Sequence, residues 1–271
     1  QVQTTLKETL PEQTRSMLEH AEKILNPENL DHRIAWIEMW QNGTLVFSSV
    51  PEQVGMLLKD KLFDTTPTTL LVPQGCSAIL PEILPPGGGA GSKIVLTSEH
   101  FGIPMTIETS LTPEKILEAP PEGKTIILVP SKSMAESLYV RFLSRMEEQN
   151  IALICQGLSG GQGRMQAEFL AAEGRAIWVL TPFSFEGMDV PLGTVDQCFL
   201  KAVPFDHPSQ TVLSRRAIRY GNAFEDYLLP RLQHRLFRLL RTFCRMRSES
   251  AGMFVMDERL EQKAYGPRIM K

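Results

Sequence analysis

Length, composition and charge describe an ordinary globular protein and exclude several classes. The chain has 271 residues, of which 42% are hydrophobic and 22% charged, and a net charge of −3, so it has room for a substantial core and is not a polycation. No stretch reaches the roughly 18 apolar residues of a membrane span, no signal peptide is present, and we expect no membrane contact. No CxxC pair occurs, so we expect no metal site, iron–sulfur cluster or disulfide, but reduced cysteines in a cytoplasmic protein: Cys76, Cys155, Cys198 and Cys244.

Residues 1–120 are predicted to form a less regular α/β region. Apolar spacing predicts a helix over Thr14–Leu25, and two apolar runs flanking residues 41–43 predict a β-hairpin. A second helix is predicted over Pro51–Leu62, with Pro51 in its first turn. Strands are predicted over Thr69–Val72 and Lys93–Leu96. Because the chain starts at Gln1 without methionine, we expect it to be a piece of a longer protein.

A glycine-rich stretch at residues 85–93 invites comparison with a phosphate-binding loop. Such a loop needs Gly-Lys-Ser/Thr running into a helix, whereas here Gly-Ser-Lys runs into a predicted strand. We therefore interpret the stretch as a surface loop.

Residues 121–271 alternate between strands and helices. Strands are predicted over Thr125–Val129, Ile151–Ile154, Ala176–Leu180, Gln197–Val203 and Met253–Met256. Between them, a capping box starting at Ser133 opens a helix that runs to about Gln149, and a second helix covers Arg164–Ala172. This order predicts an α/β domain with a mostly parallel sheet covered by helices on both faces.

The loops that follow the strands are the expected ligand edge of such a sheet. They cover residues 130–132, 156–163 and 182–189. In the last loop, Glu186 and Asp189 flank Gly187, which allows a tight turn or the close approach of a ligand. Two carboxylates at a strand end indicate a functional site, although a plain surface turn is the alternative.

The loop Gln156–Gly163 carries four glycines between a strand and a helix. Its backbone N–H groups are suited to a phosphate or a nucleic-acid backbone at the start of a helix. The strict GxGxxG order of dinucleotide-binding proteins is absent, so a Rossmann-type enzyme using Gly160–Gly163 is kept only as an alternative.

A run of arginines lies on one face of the predicted carboxyl-terminal helix. The steps between them are four, three, three and four residues, and leucines and Phe243 occupy the other face: Arg231, Arg235, Arg238, Arg241 and Arg245. A second basic cluster contains Arg215, Arg216 and Arg219. A solvated surface is the plain explanation, but the planar arginine fork favours phosphate, so we predict phosphate or nucleic-acid binding by part of this face.

The order of these motifs resembles the second motor domain of superfamily 2 helicases, in the DinG/XPD-like branch. Phe185-Glu186-Gly187-Met188-Asp189 is similar to the fifth motif of that family, Phe-Trp-Glu-Gly-hydrophobic-Asp. The stretch 201–209 matches a strand ending in Leu-Pro-Phe-x-x-Pro, and 229–241 is similar to the sixth motif, Gln-x-x-Gly-Arg-x-x-Arg. The likeness covers roughly residues 123–266 and departs at His234 and Phe237, where the family has Gln and Gly.

The resemblance implies a RecA-like three-layer fold over 121–271 and an ATP-dependent DNA helicase active in DNA repair. In such enzymes ATP and Mg²⁺ lie between two RecA-like domains, bound mainly by the first, which this chain lacks because it has no Walker A or B motif. Residues 1–120 would be the end of that first domain, an insertion, or the start of the second. Alone, the chain is expected not to hydrolyse ATP.

By motif position, Arg238 and Arg241 would be the catalytic arginines that reach the γ-phosphate. The ATP-binding set implied by the resemblance adds Glu186, Gly187, Asp189 and His234. The expected partner is single-stranded or forked DNA, together with the first RecA-like domain of the same protein. The nucleic-acid contacts would come from Ser131, Lys132, Gln156, Thr181, Arg215 and Arg235. Since His234 and Phe237 depart from the sixth motif, a non-catalytic, nucleic-acid-binding relative is the alternative.

Overall fold

The computed structural model describes residues 11–26, 32–40, 42–69, 84, 105–207 and 209–269. Three sequence predictions lie wholly or largely outside these ranges. They are the strands over Thr69–Val72 and Lys93–Leu96 and the glycine-rich loop 85–93.

Within the described ranges the chain forms eight strands and ten α-helices. The strands are β1 Arg33–Met39, β2 Leu45–Pro51, β3 Met105–Ile107, β4 Lys124–Leu128, β5 Ala152–Cys155, β6 Ala176–Leu180, β7 Val195–Leu200 and β8 Arg247–Val255. The helices are α1 Glu12–Leu25, α2 Val54–Leu58, α3 Pro113–Glu118, α4 Lys132–Glu148, α5 Gln162–Ala171, α6 Pro182–Glu186, α7 Thr211–Ala217, α8 Leu229–Met246, α9 Arg259–Gln262 and α10 Gly266–Ile269. No helix in these ranges has the length and apolar character needed to cross a membrane.

The chain divides into two compact units. The first contains α1, β1, β2, α2 and residues 206–230, and the second contains residues 105–205 and 231–269. The predicted hairpin is confirmed in the first unit, where β1 and β2 pair antiparallel from Arg33↔Pro51 to Met39↔Leu45. The helix predicted from Pro51 is corrected: Pro51 ends β2, α2 starts at Val54, and a π-helical turn continues it over Lys59–Phe63. The Pro51 carbonyl accepts a hydrogen bond from Nη2 of Arg216 at 3.1 Å.

The second unit is built on a six-stranded sheet with the order β3-β8-β7-β4-β6-β5. Every strand pair in it is parallel. The central strand β4 pairs with β6 from Lys124↔Ala176 to Leu128↔Leu180, and on its other side with β7 from Thr125↔Gln197 to Leu128↔Leu200. The predicted α/β fold with a parallel sheet is confirmed, and the architecture is that of a RecA-like domain.

Helices cover both faces of this sheet. Ile127 and Ile177 pack in one core cluster with Phe142 and Met146 of α4. Trp178, whose side chain points to the opposite face because side chains alternate along a strand, packs against Phe169 of α5 with ring centroids 5.5 Å apart. Burial on both faces explains why β6 is an unbroken apolar run, as parallel sheets require.

Several element ends differ from the predictions. The cap of α4 is Ser131, whose hydroxyl accepts from Met134 N–H at 3.2 Å, rather than Ser133. Ser131 has the extended backbone of a cap, whereas Ser133 already lies inside the helix. Strand β7 stops at Leu200 instead of Val203. Strand β8 starts at Arg247, well before the predicted Met253, because Arg247 pairs with Val195 beyond a register shift.

Candidate nucleotide and nucleic-acid site

The carboxyl edge of the sheet collects the loops that the sequence singled out. Ser131 follows β4, Gln156 follows β5 and Thr181 follows β6, and these three strands are neighbours in the sheet. Ser131 and Lys132 are exposed, whereas Gln156 and Thr181 are partly buried. Parallel strands therefore bring four of the predicted nucleic-acid residues to one edge.

Gln156 and Thr181 contact each other directly. The Gln156 Oε1 atom accepts hydrogen bonds from the Thr181 backbone N–H at 2.8 Å and from its hydroxyl at 3.0 Å. The Thr181 hydroxyl also lies 3.4 Å from the Ser184 hydroxyl. These bonds tie the end of β5 to the end of β6, so the carbonyl end of Gln156 is used inside the protein and its amide end is the part suited to a ligand.

A cavity of about 290 Å³ opens at this edge and is lined by both polar and apolar residues. Its lining is Lys132, Gln156, Gly157, Gly160, Gln162, Met165, Trp178, Leu180 and Ser184. Gly157 has a φ of +96°, and a Cβ there would overlap the Lys132 side chain, so the glycine lets the loop approach this lysine. The Lys132 ammonium lies 3.5 Å from Glu136 and its side chain is 57% exposed, which leaves it open to an anion.

Two glutamines of α5 hold the segment after β6, and the sequence analysis missed both. Gln162 donates from Nε2 to the Ser184 carbonyl at 3.4 Å, and Gln166 donates to the Asp189 carbonyl at 2.6 Å. The signal available was their spacing of four residues, which puts both on one face of the helix.

The segment predicted as an acidic loop begins with a helical turn, α6, which Pro182 starts just after Thr181. Phe185 is fully buried in this turn, while Gly187 and Asp189 beyond it are exposed. The Glu186 side chain is only 8% exposed and lies with Oε2 3.1 Å from Nη2 of Arg238. Thus two predicted site residues that are far apart in sequence meet in an ion pair.

The electrostatics of this pair follow from its burial. Burial raises the pKa of Glu186 because it removes water from the charged carboxylate, and the positive charges of Arg238 and Arg235 oppose that rise. His234 experiences the reverse effect: burial, with Arg238, Arg231 and Arg235 nearby, lowers its pKa. His234 is therefore mainly neutral at pH 7.

Helix α8 has the two faces that its sequence predicted. Its apolar side is buried through Leu232, Leu236, Leu239 and Phe243. Arg238, Arg241 and Arg245 are exposed, whereas Arg231 and Arg235 are partly buried. Arg241 lies one helical turn beyond Arg238, and no ion pair or hydrogen bond joins it to the other predicted site residues in the described ranges. Arg215 lies on α7 in the first unit, where its side chain is exposed.

Asp257, which follows β8, organises the loop after β7. Its carboxylate accepts from the Val203 N–H at 2.8 Å and from Arg259 Nη2 at 2.6 Å, and it is 5% exposed. Burial alone would raise the pKa of Asp257, but the hydrogen bonds from Arg259 and Val203 lower it on balance. The Arg259 guanidinium in turn lies 5.4 Å above the Phe205 ring. Asp257 thus holds Val203, near the start of the matched stretch 201–209, in place.

No group of three or more His, Cys, Asp or Glu side chains placed to hold a metal ion occurs among the described residues. Cys155 and Cys198 are buried, and burial raises the pKa of the Cys155 thiol to about 11. Both thiols are therefore protonated at neutral pH.

The six-stranded parallel sheet, with predicted site residues collected at its carboxyl edge, is that of a RecA-like domain of the helicase class. A model of the family described as "Helicase C-terminal domain" matches residues 114–271, more than half of the chain. The chain belongs to this family, in its DinG/XPD-like branch, as the sequence resemblance implied.

Two curated relatives and one solved structure are similar to part of this chain. The chain is 22% identical over 179 residues to the 3'-5' exonuclease DinG of Bacillus subtilis, covering 64% of this chain and 19% of that protein. It is 27% identical over 157 residues to the ATP-dependent DNA helicase YoaA of Escherichia coli, covering 55% of this chain and 23% of that protein. The chain therefore spans only about a fifth of the length of these curated relatives. A solved XPD helicase structure matches with a TM-score of 0.45 and 12% identity, over 62% of this chain and 33% of that one.

Proposed function

We propose that this chain is the second motor domain of an ATP-dependent DNA helicase. In this proposal, ATP hydrolysis in a cleft against a first RecA-like domain drives translocation on single-stranded DNA and unwinding of duplex DNA. The observation that carries the proposal is Arg238, a half-exposed guanidinium fixed at the carboxyl edge of a helicase-family sheet by a buried carboxylate. The name of the YoaA relative, an ATP-dependent DNA helicase, supports the same activity.

In the proposed mechanism, Arg238 and Arg241 place positive charge where negative charge develops during phosphoryl transfer. The Arg238 guanidinium is suited to a nucleotide, because one of its N–H donors faces Glu186 while the side chain is still 49% exposed. Neutral His234 and exposed Gly187 and Asp189 would complete the nucleotide side of this domain. The first motor domain would supply the rest of the binding site for ATP and Mg²⁺.

We propose that the same edge of the sheet binds the single-stranded DNA. Ser131 and Lys132 are exposed beside the cavity, and Lys132 supplies a positive charge for a phosphate. Gln156 and Thr181, already bonded to each other, would contact the strand through the Gln156 amide group and backbone N–H groups. Arg235 on α8 is a further basic contact proposed for this unit. Arg215, on α7 of the other unit, is proposed as a nucleic-acid contact by itself. Hydrogen bonds join Gln156 at the end of β5 to Thr181 at the end of β6. The proposed DNA contacts are therefore linked to the segment 181–189, which carries Glu186.

The test is ATP hydrolysis by the full-length protein with and without single-stranded DNA, beside Arg238→Ala. We expect DNA to stimulate turnover and the variant to lose about a hundredfold or more, as loss of an arginine finger does. No hydrolysis by the parent, or equal hydrolysis by the variant, would contradict the proposal. Since one relative is named an exonuclease, the length of the DNA strand is followed in the same reaction to separate unwinding from digestion.

A non-catalytic DNA-binding domain is the second candidate. The feature that favours it is the sixth motif, in which His234 and Phe237 replace the Gln and Gly of the family. It predicts single-strand binding by the full-length protein that is unchanged by ATP, and the same hydrolysis assay separates the two candidates.

A further inference from the structure

The ion pair between Glu186 and Arg238 is strongly asymmetric. The Glu186 carboxylate is 8% exposed and the Arg238 side chain is 49% exposed, with 3.1 Å between Oε2 and Nη2. Exposed ion pairs contribute little and exchange freely, whereas a buried carboxylate is costly without a partner. Glu186 therefore requires Arg238 close by, while the outer part of the guanidinium stays in contact with solvent.

Both partners are mounted on rigid elements. The backbone on either side of Glu186 is held by α5, since Gln162 binds the Ser184 carbonyl and Gln166 binds the Asp189 carbonyl. Arg238 lies between Leu236 and Leu239, which anchor α8 in the core with 2% and 0% exposure. The position of the guanidinium is thus set by the framework of the domain and not by a mobile loop.

We propose that Glu186 is a positioning residue that holds the Arg238 guanidinium in the orientation in which its outer N–H groups meet a phosphate. This inference rests on the proposed function. A guanidinium carries five N–H donors in a planar fork, so one donor on Glu186 leaves the others for the ligand. If the guanidinium is already oriented before the ligand binds, no conformational entropy has to be lost to order it during the reaction. Glu186 therefore affects the rate through Arg238.

The experiment measures DNA-stimulated ATP hydrolysis by the full-length protein for the parent, Glu186→Gln, Arg238→Ala and the double variant. Glu186→Gln keeps the size of the side chain and removes its charge. We expect kcat to fall by about tenfold or more while KM for ATP stays within about twofold, because the lost interaction acts on the transition state. The double variant should be no slower than Arg238→Ala, since both changes act through one guanidinium.

Glu258→Gln is the matched control. Glu258 is exposed and accepts from Gln262 on α9, outside the pair, so this variant should hydrolyse ATP like the parent. Thermal unfolding of each variant shows whether the fold is kept. If Glu186→Gln fails to fold, Arg238→Lys takes its place: it keeps the charge but loses the fork, and kcat should again fall about tenfold or more.

Three results would overturn the inference while leaving the proposed function intact. A higher kcat or a lower KM in Glu186→Gln would mean that the carboxylate withholds Arg238 from the nucleotide. Losses that multiply in the double variant would mean that Glu186 acts elsewhere. Parent-like activity in Glu186→Gln, or in Arg238→Lys where it replaces that variant, would mean that the fork needs no positioning. No DNA-stimulated hydrolysis by the parent would instead contradict the proposed function, and this inference with it.

Discussion

His234 stands among arginines on α8, at the position where the family's sixth motif has glutamine. Burial and the neighbouring charges of Arg238, Arg231 and Arg235 lower its pKa. A neutral imidazole can both donate and accept a hydrogen bond, as a glutamine amide can, so the replacement keeps the polar character of the position. Unlike glutamine, however, histidine makes the site sensitive to acid.

This sensitivity gives a prediction about stability. Because the folded-state pKa of His234 lies below its unfolded value near 6.5, the unfolded state binds the proton more readily. The free energy of unfolding therefore falls as the pH drops below about 6.5, and His234→Gln removes this contribution. We expect the Tm of the parent to fall more than that of the variant between about pH 7.5 and 5.5, by no more than about 2–4 °C.

The measurement is thermal unfolding of both proteins across that pH range. His20→Gln, at an exposed position on α1, is the control and should follow the parent. Identical pH profiles for the parent and His234→Gln would show that the histidine does not titrate differently in the folded state.

At the scale of elements, β7 and β8 are joined by more than their ladder, since Asp257 binds both the Val203 N–H and Arg259. Asp257→Ala would leave a buried N–H without its acceptor and Arg259 without its partner. We expect a loss of about 2–3 kcal/mol in the free energy of unfolding, measured by urea titration. Glu122→Ala is the control: Glu122 is 90% exposed and 3.7 Å from Arg175, so its loss should be below about 1 kcal/mol. Equal losses would mean that the Asp257 network contributes no more than a surface pair.

The elements also show how far the sequence alone predicts this fold. Strand β6 was predicted with its observed ends, Ala176 and Leu180, because a strand buried on both faces is a plain apolar run. The first half of β8 was missed because Arg247–Glu249 are polar, and the pairing of Arg247 with Val195 depends on a strand that is distant in sequence. The motif order predicted candidate site residues, but it could not predict the burial of Glu186, since its partner Arg238 lies on an element 52 positions further along (238 − 186).

At the scale of the molecule, charge is unevenly distributed. The net charge is −3, yet five arginines lie along α8 and Lys132 is exposed beside the cavity. The proposed single-strand binding would therefore depend on local contacts with phosphates, and we expect it to weaken steeply with salt as counterions are released. Lys132→Gln should reduce the slope of log K against log salt by about 0.7, the value of one single-strand phosphate contact.

Binding of a labelled single-stranded oligonucleotide to the full-length protein at several salt concentrations measures this slope. Arg175→Gln is the control, because Arg175 precedes β6 at the opposite edge of the sheet and should leave the slope unchanged. A parent slope near zero would count against nucleic-acid binding by this surface.

The order of strands in the sheet has a consequence for how the domain is made. Strand β3 pairs only with β8 within the described residues. Met105–Ile107 can therefore pair only after Met253–Val255 have been synthesised, about 148 positions later (253 − 105). Likewise, β4 has β6 and β7 as its neighbours, both synthesised after it. During translation the amino-terminal strands therefore leave the ribosome before their partner strands. The sheet can be completed only when β8, its last strand in the sequence, has been released. A chain truncated before β8 would lack one strand and leave β3 and one edge of β7 unpaired, which is the kind of exposed edge that leads to aggregation.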